Sequence, residues 1–327
     1  MKILTSIALA VFVSVSGSSR ALAQDWEVFK SGTVDQVRAE ILTLPDATGL
    51  ETKDVIGWTA LMNAAALNPS ADVISALIQA GAAVNARDQN GTTALMFAAV
   101  GNPSTDVIRA LIEAGAEVDA RSQDGRTALM VAARYNPSVD VIRALLAAGA
   151  EVDARDPAGW TALMLAARYN PSVDVIRALL KAGAEVDART ESGITALMVA
   201  AANNPPADVI RALLEAGAEV DARDQAGATA FLHGSQGEYP ANLRALVRAG
   251  ASALARDEDG WTALMYWAVG AGSGANLECL LELGIDPRAR SASGETALDY
   301  AKENAKLYKT EAYWLLNDAF HNAGGGE

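Results

Sequence analysis

The sequence predicts an all-α repeat solenoid, a row of about nine short helical pairs stacked side by side. The first sign is repetition: near-identical phrases open at Gly57, Gly91, Gly125, Gly159, Gly193, Gly227, Gly260 and Gly294, a spacing of 34 residues with one interval of 33. A fixed period of that size marks stacked supersecondary units. Composition agrees. The 327 residues are 51% hydrophobic but only 6% aromatic, and abundant alanine suits tight helix contacts rather than one large globular core.

Residues 1–23 stand apart from the repeats. Lys2 supplies a positive start, Ile3 to Val15 is mostly apolar, and Ala21-Leu22-Ala23 has the small-x-small form of a signal-peptidase site, so cleavage after Ala23 is expected. An uncleaved anchor is the alternative, but this apolar run falls short of the roughly 20 residues that span a bilayer. No cysteine lies near the cleavage site to accept a lipid. The mature chain is therefore expected in the periplasm, or secreted, with no segment inserted in a membrane. Cleavage removes Lys2 and Arg20 and no acid, leaving 24 basic against 40 acidic residues and a formal net charge of −16 in place of −14. That average charge disfavours nucleic acid and anionic membranes as partners. Cys279 is the one cysteine in the chain, so no intramolecular disulfide can form.

Residues 24–56 read as an N-terminal capping unit: Thr33 stands three residues before Gln36, the spacing of a capping box. Seven copies follow, at 57–90, 91–124, 125–158, 159–192, 193–226, 227–259 and 260–293, and a C-terminal cap with a short tail occupies 294–327. Each copy parses alike. After the turn glycine comes a threonine (Thr59, Thr93, Thr127, Thr161, Thr195) able to cap a first helix, TALMxAA. Asn-Pro then separates it from a second helix, since proline lacks an amide that a starting helix does not need. Asp140 and Asp174 suit the positive end of that second helix, and Val141, Ile142, Leu145 and Leu146 form one apolar face. Gly149 and Gly183 end it, because glycine takes the left-handed conformation without penalty. An AEVDAR stretch forms an extended finger leading to the next copy.

This order of turn, helix, helix and finger resembles the ankyrin repeat, G-x-T-P-L-H-x-A-A followed by V-V-x-L-L-L-x-x-G-A-x-V-N-A, over about residues 25 to 320. Two departures stand out. Alanine and methionine replace the family's proline and histidine (Ala60 and Met62, Ala94 and Met96), and each standard copy has one extra residue between its helices. The hydrogen bonds of that histidine must be absent or replaced. The terminal units read as caps, which a solenoid needs because each has only one neighbour. Copies six and seven are irregular where the inter-helix turn falls, reading GSQGEYP at 234–240 and GAGSG at 270–274; this is either divergence or a partner-adapted segment.

No catalytic set is evident. His233 and His321 lie on different units, which defeats a hydrolase triad. His233 takes the place of Val199 and is expected as a packed core residue, His321 falls in the tail, and Cys279 replaces Ala144 and Ala178 as a buried, inert thiol. No glycine loop of a phosphate-binding kind precedes a helix. Met62, Met96, Met130, Met164, Met198 and Met265 recur at one position, where core filling is the expected role and a thioether ladder for monovalent copper the alternative. Asp119, Asp153, Asp187 and Asp221 each precede an arginine by two (Arg121, Arg155, Arg189, Arg223), a recurrence that suggests charge ladders between fingers, with a basic strip for an acidic partner as the alternative.

Recognition is better sought where the copies differ. The residue after the turn glycine varies as Trp58, Thr92, Arg126, Trp160, Ile194, Ala228 and Trp261, and Arg134-Tyr135 and Arg168-Tyr169 end two of the first helices. The resemblance implies that both places line a concave partner-binding face, and Trp, Tyr and Arg dominate interface energetics. The expected function is non-catalytic binding of a protein or peptide through Trp58, Arg126, Arg134, Tyr135, Trp160, Arg168, Tyr169 and Trp261, by a monomer that needs no cofactor or metal. The alternative is a small-ligand or metal-handling protein using the methionine row or the irregular copies.

Overall fold

The computed structural model describes residues 26–44, 47–54, 56–203 and 207–323, and among them lie eighteen α-helices in nine pairs and no strand. Residues 1–25, which include the expected leader, and residues 45–46, 55, 204–206 and 324–327 lie outside the described residues. Helices α1 (Trp26–Ser31) and α2 (Val34–Ile41) form the N-terminal cap, followed by a 3-10 turn at Ala47–Glu51. The seven copies supply α3 (Ala60–Leu67) with α4 (Ala71–Gln79), α5 (Ala94–Gly101) with α6 (Thr105–Glu113), α7 (Ala128–Tyr135) with α8 (Val139–Ala147), and α9 (Ala162–Tyr169) with α10 (Val173–Lys181). After these come α11 (Ala196–Asn203) with α12 (Ala207–Glu215), α13 (Ala230–Ser235) with α14 (Pro240–Arg248), and α15 (Ala263–Gly270) with α16 (Gly274–Glu282). The C-terminal cap is α17 (Ala297–Glu303) with α18 (Glu311–Asn322). First helices stack on first helices and second on second along the whole row. The first-helix layer is the more closely packed, as its alanines permit.

Local chemistry sets the helix ends. The Thr59, Thr93, Thr127, Thr161 and Thr195 hydroxyls accept the amide of the methionine three residues on at 3.3–3.4 Å. In three copies the methionine takes over a polar duty. The amides of Thr59, Thr195 and Thr262 donate to the sulfurs of Met62, Met198 and Met265 at 3.4–3.5 Å, a weak bond standing where the resembled family has histidine. The six methionines of the repeats are 0–1% exposed. In the second helices Val141, Ile142 and Leu145 are buried and Leu146 lies at the edge of that face. Gly149 and Gly183 take the left-handed conformation, φ 89° and 92°.

A buried row of asparagines joins the copies. Asn102, Asn136 and Asn170 close their first helices, and their side-chain amides donate to Ala65, Ala99 and Ala133 of the preceding copy at 2.8–3.2 Å. Each of those carbonyls lies four residues before a proline (Pro69, Pro103, Pro137), which has no N–H with which to satisfy it. Asn102 and Asn170 also reach the backbone carbonyls of Asn68 and Asn136 at 2.9 Å. Their own Oδ1 atoms accept the amides of Ser104 and Ser172 at 2.9 Å, which shapes the turn. The proline thus serves a different end from the one expected. The residues before the second helices, Ser70, Ser104, Ser138 and Ser172, occupy the N-cap, so Pro69, Pro103, Pro137 and Pro171 stand outside the helix.

The fingers are hydrogen-bonded turns joined by a second row. Arg87, Arg121, Arg155, Arg189 and Arg223 each donate Nη1 to the carbonyl of the next arginine in the row, Arg121, Arg155, Arg189, Arg223 and Arg256, at 2.6–2.8 Å. Arg155 also pairs with Glu185 at 3.0 Å. Asp119, Asp153 and Asp187 do not pair with these arginines; they accept the amides of Glu151, Glu185 and Glu219 at 2.9–3.0 Å. The arginine side chains of the ion-paired fingers are 41–43% exposed, so their ion pairs contribute under about 1 kcal/mol each. The guanidinium edge is engaged in holding register rather than open to a partner.

The irregular copies keep the asparagine bond by relocating it. Asn242 in α14 donates to Ala201 at 3.3 Å, a carbonyl four residues before Pro205, and Asn276 in α16 donates to Gly237 at 2.8 Å. In copy seven Trp267 replaces the alanine of Ala132 and Ala166, is fully buried, and donates its indole N–H to Ser273 at 2.9 Å. A Cβ on Gly272 would stand 2.5 Å from the indole Cδ1, and Ala271 takes φ 54° to carry the chain around the ring. Gly272 is therefore accounted for by close packing.

Candidate functional site

The turn before α9 presents Trp160. One Asp156 oxygen accepts the amides of Ala158 and Trp160 at 3.0 and 2.9 Å, and Gly159 takes φ 82° where a Cβ would meet Thr190 Cα at 2.9 Å. Arg168 and Tyr169 end α9, and Arg134 and Tyr135 end α7 in the neighbouring copy, where a positive charge suits the helix C-terminus. The structure brings these side chains together. The Arg134 guanidinium lies 3.9 Å from the Tyr169 ring centre and 4.9 Å from that of Tyr135. Arg168 lies 5.1 Å from Tyr169 and 5.3 Å from Trp160. These are cation–π distances, each stabilising by about 0.5–2 kcal/mol.

A cleft of about 230 Å³ opens among Arg126, Arg134, Asp156, Trp160, Arg168 and Tyr169. A second, of about 380 Å³, shares Trp160 and Arg168 and continues past Ile194, Val199, His233 and Gln236. The Trp160–Arg168 stack is the common wall of the two. A larger cleft of about 620 Å³ lies on the second-helix layer between α6 and α8. Its arginines are already paired, Arg109 with Asp106 at 3.2 Å and Arg143 with Asp140 at 3.1 Å, so it offers an exposed groove with both cations engaged.

The remaining expected residues lie elsewhere. Trp58 is 3% exposed and packs on Phe97 with ring centres 4.1 Å apart; it is a core residue with little surface to offer a partner. Trp261 is half-buried in another group, 4.7 Å from the Tyr300 ring and 5.7 Å from that of Tyr266. Tyr266 donates to Asp257 at 2.8 Å, and burial, reinforced by that carboxylate, holds its phenol well above its usual range.

His233 departs from the expectation of a packed core residue. It is half-buried, bonds Asp224 through Nε2 at 2.8 Å and opens on the second cleft. The spacing of nine residues also joins Asn63 to Asp54 and Tyr266 to Asp257, a link between finger and first helix that could have been read from the sequence. His321 belongs to α18 rather than to a tail, and its carbonyl accepts from Arg288 at 3.2 Å. Cys279 is buried, and burial pushes its thiol up from its usual range. In the native chain it should resist a thiol reagent such as dithionitrobenzoate and react only on unfolding; rapid stoichiometric reaction of the folded protein would contradict the packing. The methionine sulfurs are enclosed in the first-helix layer, and no group of three or more His, Cys, Asp or Glu suited to a metal occurs among the described residues. No helix among them is long and apolar enough to cross a membrane.

Nine stacked helical pairs joined by repeating inter-copy bonds define a helical-repeat solenoid, a class that presents extended surfaces to partners. The family model described as ankyrin repeats (3 copies) matches residues 39–122, 61–156, 99–190, 129–224 and 170–257, together well over half of the chain, and the chain belongs to the ankyrin-repeat family. Members of this family generally act as protein–protein interaction modules and are generally non-catalytic. No curated protein matches the chain.

Proposed function

We propose that the chain is an exported, monomeric, non-catalytic module that binds a protein or peptide partner on its first-helix side, through Arg126, Arg134, Tyr135, Trp160, Arg168 and Tyr169. One observation carries this reading. Arg126, Arg134, Trp160, Arg168 and Tyr169, drawn from two copies at positions with no duty common to the other copies, line one cleft, where Arg134, Arg168, Trp160 and Tyr169 stack together and Tyr135 stacks on Arg134. Repeating residues hold the solenoid together; these do not repeat through it. Trp261, with Tyr266 and Tyr300, extends the surface toward the C-terminal cap. Export rests on the leader at residues 1–23 and makes the periplasm, or the medium, the place where the partner is met.

The test places a photo-crosslinking amino acid at Tyr169, or at Arg143 on the second-helix layer, in cells expressing the chain. A discrete crosslinked protein from position 169, absent from position 143 and lost in Arg134→Gln/Arg168→Gln, is the expected result. Equal crosslinking from both positions would refute the site. The same cells report on export, since a fractionated protein beginning at Gln24 is expected and a cytoplasmic one beginning at Met1 would overturn it.

A further inference from the structure

Of the described arginines, Arg126, Arg134 and Arg168 are half-buried and all the others are exposed. The Nε of each of these three is enclosed and meets no acceptor among the described residues. Arg126 has Asp124 at 3.7 Å, but Arg134 and Arg168 take part in no ion pair among the described residues. Other described arginines without an ion pair, such as Arg223, Arg248 and Arg256, are exposed, whereas Arg134 and Arg168 combine that lack with half-burial, and the second helices pair Arg109, Arg143 and Arg177 with Asp106, Asp140 and Asp174. The corresponding first-helix position is Ala66, Val100, Ala202, Gln236 and Val269 in the other copies. The two arginines therefore serve no need common to the repeats.

Partly desolvated cations left without an anion are costly unless one is supplied from outside. Stacking occupies the flat face of a guanidinium and leaves its edge free, and that edge presents parallel N–H donors matched to a carboxylate. Resting on the peptide-binding reading above, we infer that the cleft of Arg134 and Arg168 takes the carboxylate of an acidic side chain in a partner segment, whose apolar neighbour enters the adjoining cleft beside Trp160, Ile194 and Val199. Asp156 lies in the first cleft with one oxygen held by turn amides. Its charge and the −14 of the whole chain favour a single carboxylate over a phosphate dianion or a nucleic acid.

The experiment pans a phage-displayed random heptapeptide library on the purified whole chain and measures the best sequence as a synthetic peptide. Enriched sequences are expected to carry Asp or Glu beside an apolar residue. Affinity is expected to fall about 30-fold or more in Arg134→Gln/Arg168→Gln and to stay unchanged in Arg143→Gln/Arg177→Gln. Independently of any variant, binding to the native chain should weaken between 50 and 300 mM salt, roughly in line with a screened ion pair. Enriched peptides lacking an acid, an affinity indifferent to the double variant, or a flat salt response would overturn the carboxylate assignment while leaving peptide binding intact. Displacement of the peptide by inorganic phosphate or oligothymidine at comparable concentration would do the same. If no sequence is enriched, the peptide-binding reading falls and takes this inference with it.

Discussion

Replacing Asn102 with leucine is expected to lower stability by about 3–5 kcal/mol, far more than its small change in volume suggests. The side chain is 1% exposed. It donates to the carbonyls of Ala65 and Asn68 at 2.8 and 2.9 Å and accepts the Ser104 amide at 2.9 Å. Leucine would strand three backbone groups, each costing about 1–3 kcal/mol where water cannot reach it. Because Pro69 follows Ala65 by four residues, no helical amide can replace the lost donor. Hydrogen exchange across α3 to α6 is the appropriate measurement, since a repeat protein need not unfold in one step. Protection lost around that one interface is the expected pattern; an unchanged profile would show that the asparagine row is incidental.

The second large effect is expected at Trp267, where alanine should cost about 3–5 kcal/mol. The indole is fully buried in α15, its N–H is bonded to Ser273, and Gly272 leaves the room it needs. The damage should be confined to the C-terminal units. Exchange protection in α15 to α18 is expected to fall sharply while α3 to α9 keep theirs, because each pair contacts only its neighbours. A uniform loss along the chain would mean that the solenoid unfolds as a single unit.

Much of the architecture was legible because it arises from short-range chemistry repeated eight times. The threonine caps, the capping box of Thr33 and Gln36 and the stop at Gly149 each involve residues within a few positions of one another. The core-facing methionines and the buried Cys279 followed from their places in the copy. His233 was misplaced because its role depends on Asp224 nine residues earlier, across the turn from finger to helix. The asparagine bonds span 34 to 37 residues: the proline marks within one copy which carbonyl lacks a donor, but the asparagine that supplies it belongs to the next copy.

The candidate site shows the same division. The sequence by itself determined the period, the helix pairs, the caps and the variable positions at which Trp58, Trp160 and Trp261 each follow a turn glycine. Only the tertiary structure decided which of them is covered by a neighbouring ring and which stands beside a cleft. In copy two the residue packed against Trp58 is Phe97, large enough to cover it, and beside Trp261 stands Tyr300. The corresponding residue for Trp160 is Val199, too small to cover an indole, and the space it leaves is the second cleft. Exposure in a solenoid is set by the neighbouring copy, whose side-chain volume no single repeat contains.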